Sequence, residues 1–247
     1  MTSCLLGAAL PSTWGQENAS ASPDWTIDNS RWTGALAPSA AIEVENQYGD
    51  VRLRAADAGE VEVSAMAQRR THDAAKAGLA VERRGGVLRI EVRYPKEPQA
   101  DLHRVDVAVF VPARARVVVR TADGMIQARG LDNDVELESA GGNVFVSTAG
   151  TAQVKAGRGD IAAELGPTSW SGSPRLTTRE GDITLSLPKD ADARIRIRAP
   201  GEISVQAHAR SERRDARGAT VIFGRGTHSL LLETQRGGVT LLAAGLS

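Results

Sequence analysis

The stretch GGNVFVSTAGTAQVKAGRGDIAAEL, residues 141–165, holds two copies of one short pattern. In each, a glycine (Gly142, Gly159) precedes a short polar residue (Asn143, Asp160) and an apolar one (Val144, Ile161), after which apolar positions alternate. Between the copies lies a second alternating run, TAQVKAG, without the glycine turn. Alternation with period two predicts a strand with one buried face, and Gly followed by Asn or Asp predicts the turn before it. Outward from here the form recurs at Gly124 (ADGMIQARG), Gly181 (REGDITLSLP), Gly201 (PGEISVQA) and Gly237 (RGGVTLLA). Successive glycines lie 18, 17, 22 and 20 residues apart, and the last gap of 36 reads as two such intervals. The unit is therefore two short strands and two turns in about 20 residues.

A repeat of that length marks a solenoid. Leucine-rich repeats need L-x-x-L-x-L, which is absent, and helical repeats are longer and lack period-two alternation. The expected class is all-β, a β-solenoid resembling a parallel β-helix with about 20 residues per coil. Regular coils are expected over residues 113–247. Residues 41–112 read as alternating strands with a hairpin turning near Arg84-Gly85-Gly86. The sequence leaves open whether these strands join the coils. An antiparallel sandwich of the same strands is the alternative. Hydrophobic residues make up 41% of the 247 but aromatics only 4%, so the interior must be built from Val, Ile, Leu and Ala.

Within this pattern Arg158-Gly159-Asp160, an RGD tripeptide, has a structural explanation. Gly159-Asp160 occupies the turn position of Gly142-Asn143, Gly181-Asp182 and Gly201-Glu202, whereas Arg158 is matched by Gly141, Glu180 and Pro200. The tripeptide is read as a turn of the repeat rather than as an adhesion signal.

Residues 1–21 read as the remnant of a signal peptide, with the apolar run SCLLGAAL and a small-residue site at Ala19-Ser20-Ala21. Cys4 is the single cysteine, which excludes an internal disulfide. Residues 22–40 read as a linker rich in Ser, Ala, Pro and Asn. Trp25 and Trp32 within it are expected to cap the open end of the following domain. No stretch has the length of apolar residues needed to span a bilayer as a helix.

The segment VDVAVFVPARARVVVRTADGMIQARGLDNDVELESAGGNVFVSTAGTAQVKAGRGDIAAEL resembles the bacterial putative-adhesin family of unknown function built from β-strand repeats. The VFVP strand end, the GMIQARGL turn and the successive Gly-Asp/Asn-Val/Ile steps carry the resemblance. So does GRGTHSLLLETQRGGVTLL, which is similar to that family's closing repeat. The resemblance spans roughly residues 40–245. It implies an exported protein on the envelope side of a bacterial membrane, and it brings no catalytic residues to carry over.

Thirty basic and thirty acidic residues cancel, which argues against a general nucleic-acid binder. His72, His103, His208 and His228 lie far apart with no metal-ligand spacing, and no nucleophile elbow, P-loop or dinucleotide fingerprint is present. Stacked Asp160, Asp182 and Glu202 would make a carboxylate ladder. The calcium-binding nonapeptide is missing, however, so they read as turn residues. Glu136 and Glu138 share one face of one strand rather than facing each other across a cleft, the arrangement glycoside hydrolysis requires.

The best binding candidate is rich in arginine. In ARIRIRAP, Ile195 and Ile197 face inward and Arg194, Arg196 and Arg198 share the outer face. ARSERRDARG adds Arg210, Arg213, Arg214 and Arg217, expected on a protruding loop. Together they form a candidate polyanion site, principally Arg194, Arg196, Arg198, Arg213 and Arg214. Gly124, Gly142, Gly159, Gly181, Gly201 and Gly237 are structural turns.

The functional expectation is a non-catalytic scaffold or recognition surface, exported to the periplasm or cell surface. It needs no cofactor or metal, and its partner is a cell-envelope polymer or envelope protein. An envelope-sensing module bound to a membrane signalling protein is the alternative. A β-helix polysaccharide lyase or hydrolase is the third reading.

Overall fold

The computed structural model describes residues 25–37, 40–56, 59–70, 75–95, 103–167, 170–215 and 218–243. The expected signal-peptide remnant, Cys4, His72 and Arg217 lie outside them. Strand β1 (Trp25–Ala35) comes first, followed by β2 (Ala41–Tyr48), β3 (Val51–Ala55), β4 (Glu60–Arg70) and β5 (Gly78–Arg84). Next are β6 (Val87–Arg93), β7 (His103–Val111), β8 (Arg116–Asp123), β9 (Ile126–Leu131), β10 (Val135–Gly141) and β11 (Val144–Thr148). Then come β12 (Ala152–Arg158), β13 (Ile161–Leu165), β14 (Arg175–Glu180), β15 (Ile183–Leu187) and β16 (Ala193–Arg198). The last are β17 (Ile203–Val205), β18 (Ser211–Asp215), β19 (Gly218–Ile222), β20 (His228–Arg236) and β21 (Val239–Ala243).

These strands make two long sheets, one of ten strands and one of eleven, and the all-β expectation holds. Each repeat puts its first strand in the eleven-stranded sheet, turns a corner at its glycine, and puts its second strand in the ten-stranded sheet. β10 and β11 lie on β8 and β9, β12 and β13 on those, and β14 and β15 next. Every one of these pairings is parallel, which an antiparallel sandwich of the same strands would not give. The strands before residue 113 join the same stack: β2 and β3 pair parallel with β8 and β9, and β6 and β7 pair parallel with β2 and β3.

Burial follows the alternation. Ile161, Ala163 and Leu165 of β13 face the interior between the sheets, as do Ile183, Leu185 and Leu187 of β15. The buried core is built from Val, Ile, Leu and Ala, with Trp170 and Phe223 as its aromatic members. Each large side chain sealed there contributes roughly 1.5–3 kcal/mol relative to exposure.

Three features depart from the sequence reading. Residues 22–40 are not a linker throughout, because Trp25–Ala35 forms β1, paired antiparallel with β4 along its whole length. The segment TIDNSRWT is largely polar because β1 is an edge strand, exposed on one side. Trp32 does pack against the core under the Arg83 guanidinium, 5.3 Å from its ring centre, while Trp25 stays partly exposed beside Arg70. Second, the last repeats do not stack in chain order: β20 and β21 slide between β14/β15 and β16/β17, so Gly237 precedes Gly201 in the stack. The gap of 36 residues is a detour rather than two intervals. Third, the loop expected at residues 210–217 contains β18, which forms an antiparallel hairpin with β19 beside β16.

The corner glycines stack in the order Gly49, Gly124, Gly142, Gly159, Gly181, Gly237, Gly201. Gly159 has φ +144°, and a Cβ there would stand 2.4 Å from the Gly142 carbonyl oxygen. At Gly124 the constraint is closeness alone, a Cβ falling 1.9 Å from the Gly49 oxygen. The acidic turn residues link corner to corner. Asp160 Oδ1 accepts the Asp182 N–H at 2.8 Å, and Asp182 Oδ1 accepts the Gly238 N–H at 2.7 Å. RGD in this chain is thus a corner of the stack, its carboxylate engaged by the next corner.

A buried polar side chain sits three residues before most of these glycines. Ser139 Oγ donates to the Gly124 carbonyl at 3.0 Å, Thr178 to Gly159 at 3.0 Å and Thr234 to Gly181 at 2.9 Å. Each bond satisfies a carbonyl that the tight corner removes from water.

Candidate functional site

The outer face of the eleven-stranded sheet carries two different charge arrangements. Over its first rungs acids and bases neutralise one another: Arg89 lies 2.8 Å from Glu45, Arg120 3.1 Å from Glu136 and Lys155 2.7 Å from Glu138. Glu136 and Glu138 therefore sit on one solvated face, and exposed pairs of this kind add little stability.

At the other end of the sheet several arginines lack such partners. Arg194, Arg196 and Arg198 alternate with buried Ala193, Ile195 and Ile197, as the sequence predicts. The register places Arg196 beside Leu231 on β20, and Leu231 beside Arg175 on β14. On the other side Arg196 neighbours Thr220, which neighbours Arg213. Arg175, Arg196 and Arg213 thus form a row with one guanidinium on every second strand, a Cα repeat of about 10 Å. Arg194 lies one step along β16, and a shallow depression lined by Ser173, Arg175, Arg194, Arg196, Thr220 and Ser229 runs between them.

The predicted patch is split by the hairpin. Arg213 is in register with outward-facing Thr220, but Arg214 is in register with buried Ala219 and belongs to the opposite face. Arg214 is bridged to Glu212, and Arg198 faces Glu233 at 3.8 Å. Among the described residues Arg175, Arg194, Arg196 and Arg213 have no carboxylate partner. Arg175 was not among the sequence candidates. Its signal is the outward position at the head of RLTTREGDITL, but only the strand order brings it two strands from Arg196.

Elsewhere the polar groups serve the fold. Asp192 Oδ1 accepts the N–H groups of Arg225 and Thr227 at 2.8 and 3.0 Å, and Oδ2 accepts from Thr227 Oγ1 at 2.9 Å. These bonds, the Thr227 N–H first, hold its carboxyl well below the usual aspartate range. Tyr94 Oη lies 2.7 Å from Asn46 Oδ1 and accepts the Tyr48 N–H, and burial pushes its phenol up. The described histidines stay apart: His103 is buried, His208 exposed, and His228 lies edge-on to Trp170. Among the described residues no three His, Cys, Asp or Glu side chains gather in a metal-binding arrangement. Nor is any helix there long and apolar enough to cross a membrane.

Comparison with known proteins places this architecture. The structure is similar to that of a putative cell adhesion protein from Clostridium sporogenes, with TM-score 0.51 and 11% identity over 88% of this chain and 100% of that one. Putative adhesins from Bacteroides fragilis (TM-score 0.38, 12% identity, 87% of this chain and 97% of that) and Parabacteroides merdae (0.34, 8%, 87% and 96%) are more distant. At such identities the first likeness is one of fold. No curated protein matches the sequence. The family model described as Toastrack DUF4097 matches residues 113–242. That is more than half of the chain, from the strand before the first corner glycine of the regular repeats to the last strand, and the chain belongs to the Toastrack DUF4097 family.

Proposed function

We propose that this chain is a two-sheet β-solenoid exported to the bacterial envelope, where it acts as a non-catalytic recognition surface for an anionic envelope polymer. One observation carries the reading: the row of Arg175, Arg196 and Arg213, with Arg194 beside it, none of them bridged to a carboxylate among the described residues, on a sheet where Arg89, Arg116, Arg120, Lys155, Arg198 and Arg236 are. Guanidinium groups bind carboxylate and phosphate through paired N–H donors, and a rigid sheet fixes their spacing before the ligand arrives. A linear polymer whose charges recur near the repeat of the row engages several at once. Each contact is weak and the sum is not. The adhesion name of the Clostridium sporogenes protein agrees with such a role.

The test uses polygalacturonate and inorganic polyphosphate as carboxylate and phosphate probes, measured by titration calorimetry at rising salt. The chain is expected to bind at least one, more weakly as salt rises. Changing Arg175, Arg194 and Arg196 together to Ser should weaken binding by about ten-fold or more. Arg214→Ser, on the opposite face, should leave it unchanged. Equal binding by the triple variant would overturn the reading. Capture of one stoichiometric protein from solubilised envelope, with no polymer bound, would favour the sensing module instead.

A further inference from the structure

On the opposite side of the molecule, the outer face of the ten-stranded sheet carries a second concave feature. Phe145 on β11 is in register with Ala162 on β13, and Ala162 with Thr184 on β15. A methyl group between a ring and a threonine leaves the middle of this row low. The resulting trough is lined by Arg129, Phe145, Ser147, Ala162, Glu164 and Thr184. Phe145 is half-buried, so part of its ring faces the trough. Arg129 reaches the site from a β-bulge: the β9–β11 register shifts between Val146 and Thr148, and Gly130 beside it takes φ +64°. Bulges recur where a sheet must re-aim a side chain.

The chemistry of the lining is mixed. Phe145 presents an apolar ring edge and face. Arg129 offers only donors, Glu164 only acceptors, and Ser147 and Thr184 offer both. Among the described residues neither Arg129 nor Glu164 has a hydrogen-bond or ion-pair partner, whereas Arg52 and Arg104 on the same sheet are paired with Asp50. Arg129 and Glu164 stand in one row on either side of Ser147, and their opposite charges cancel, which disfavours a polyanion. An occupant needs one apolar face for the ring and a rim of groups that both donate and accept. A pyranose has both, its C–H face and its hydroxyl rim, and small-molecule sites share this combination of apolar floor and few convergent polar groups. We infer that this trough binds a sugar ring of a neutral glycan. The site is independent of the arginine row, which lies on the other sheet.

The experiment titrates the protein with cellotetraose and with an N-acetylglucosamine tetramer, following heat and backbone amide shifts. Binding of at least one probe is expected, with shifts confined to β9, β11, β13 and β15. Phe145→Ala should weaken it by about ten-fold. Ala162→Leu, which removes no polar group but fills the trough, should do the same. Both positions are on an outer face, and circular dichroism reports whether each variant is folded. The triple arginine variant should bind these probes unchanged, so failure of the two sites is separable. Absence of binding by either tetramer, or equal affinity in the folded Phe145 and Ala162 variants, overturns the assignment.

Discussion

Replacing Gly159 by alanine tests the corner stack at its centre. A Cβ there would stand 2.4 Å from the Gly142 carbonyl oxygen, 2.6 Å from its carbon and 3.0 Å from the Asn143 nitrogen, all backbone atoms. They have little room to retreat, because the Gly142 N–H already donates to the Arg158 carbonyl at 2.8 Å and the Gly159 N–H to Glu180 at 2.8 Å. Holding an alanine at φ +144° costs on the order of 1–3 kcal/mol. Displacing the neighbouring corner costs a further 1–3 or so, by analogy with overpacking. The expected loss is therefore about 2–6 kcal/mol, a large share of the roughly 5–15 kcal/mol that holds a domain folded. Urea titration followed by circular dichroism measures it from the midpoint and slope. Gly124→Ala should also destabilise, there through the close approach alone, and Gly78→Ala should be nearly neutral, nothing lying within 4 Å of a Cβ at that position. A Gly159→Ala protein within about 0.5 kcal/mol of wild type, the range of ordinary surface changes, would refute the reasoning.

Ala156 is buried between Ser139 and Thr178 in the polar row, and it is the rung at which the Gly142 carbonyl lacks a side-chain donor among the described residues. Ala156→Ser should supply that donor and raise stability by about 0.5–1.5 kcal/mol, read as a higher thermal midpoint; a lower one would show that the rung has no room for it. Asp192 is expected to contribute to acid sensitivity. Its folded pKa is depressed, so its contribution is present above the unfolded aspartate pKa of about 3.9 and is lost as pH falls from there through the folded value. Asp192→Asn should therefore flatten the loss of stability below about pH 4 in a pH series of urea melts, and an unchanged slope would assign acid sensitivity elsewhere.

The repeats were legible because a corner that brings two backbones together tolerates only glycine, and such corners leave a countable spacing. Gly49 shares the form in YGDVRL but stands 75 residues before Gly124, so a search for even spacing passes it by. The order of the final rungs was not legible. β16 and β20 both alternate apolar with polar residues, and either would present a matching face to β14. In the structure the β18–β19 hairpin pairs with the outer edge of β16, and β20 lies between β16 and β14. The outward direction of Arg194, Arg196 and Arg198 followed from alternation alone. The fate of Arg214 did not, because it depends on a hairpin register fixed only in three dimensions. The serine and threonine donors were visible in principle as a polar residue three places before a glycine. Within a strand such a residue looks like an interruption of the apolar face until its carbonyl partner is known.

The insertion of β20 and β21 between neighbours that precede them in the chain has a mechanical consequence. Tension entering the fold through β1 acts on an edge strand and can peel it from β4 one bond after another. Tension entering through β21 acts on a strand flanked by β15 and β17, each aligned with it in parallel. Its release must break both flanking ladders at once, and resistance to forced unfolding is set by the barrier to that step rather than by overall stability. A chain gripped at that end is anchored by an interior rung, with the arginine row and its hairpin lying beyond the point of load.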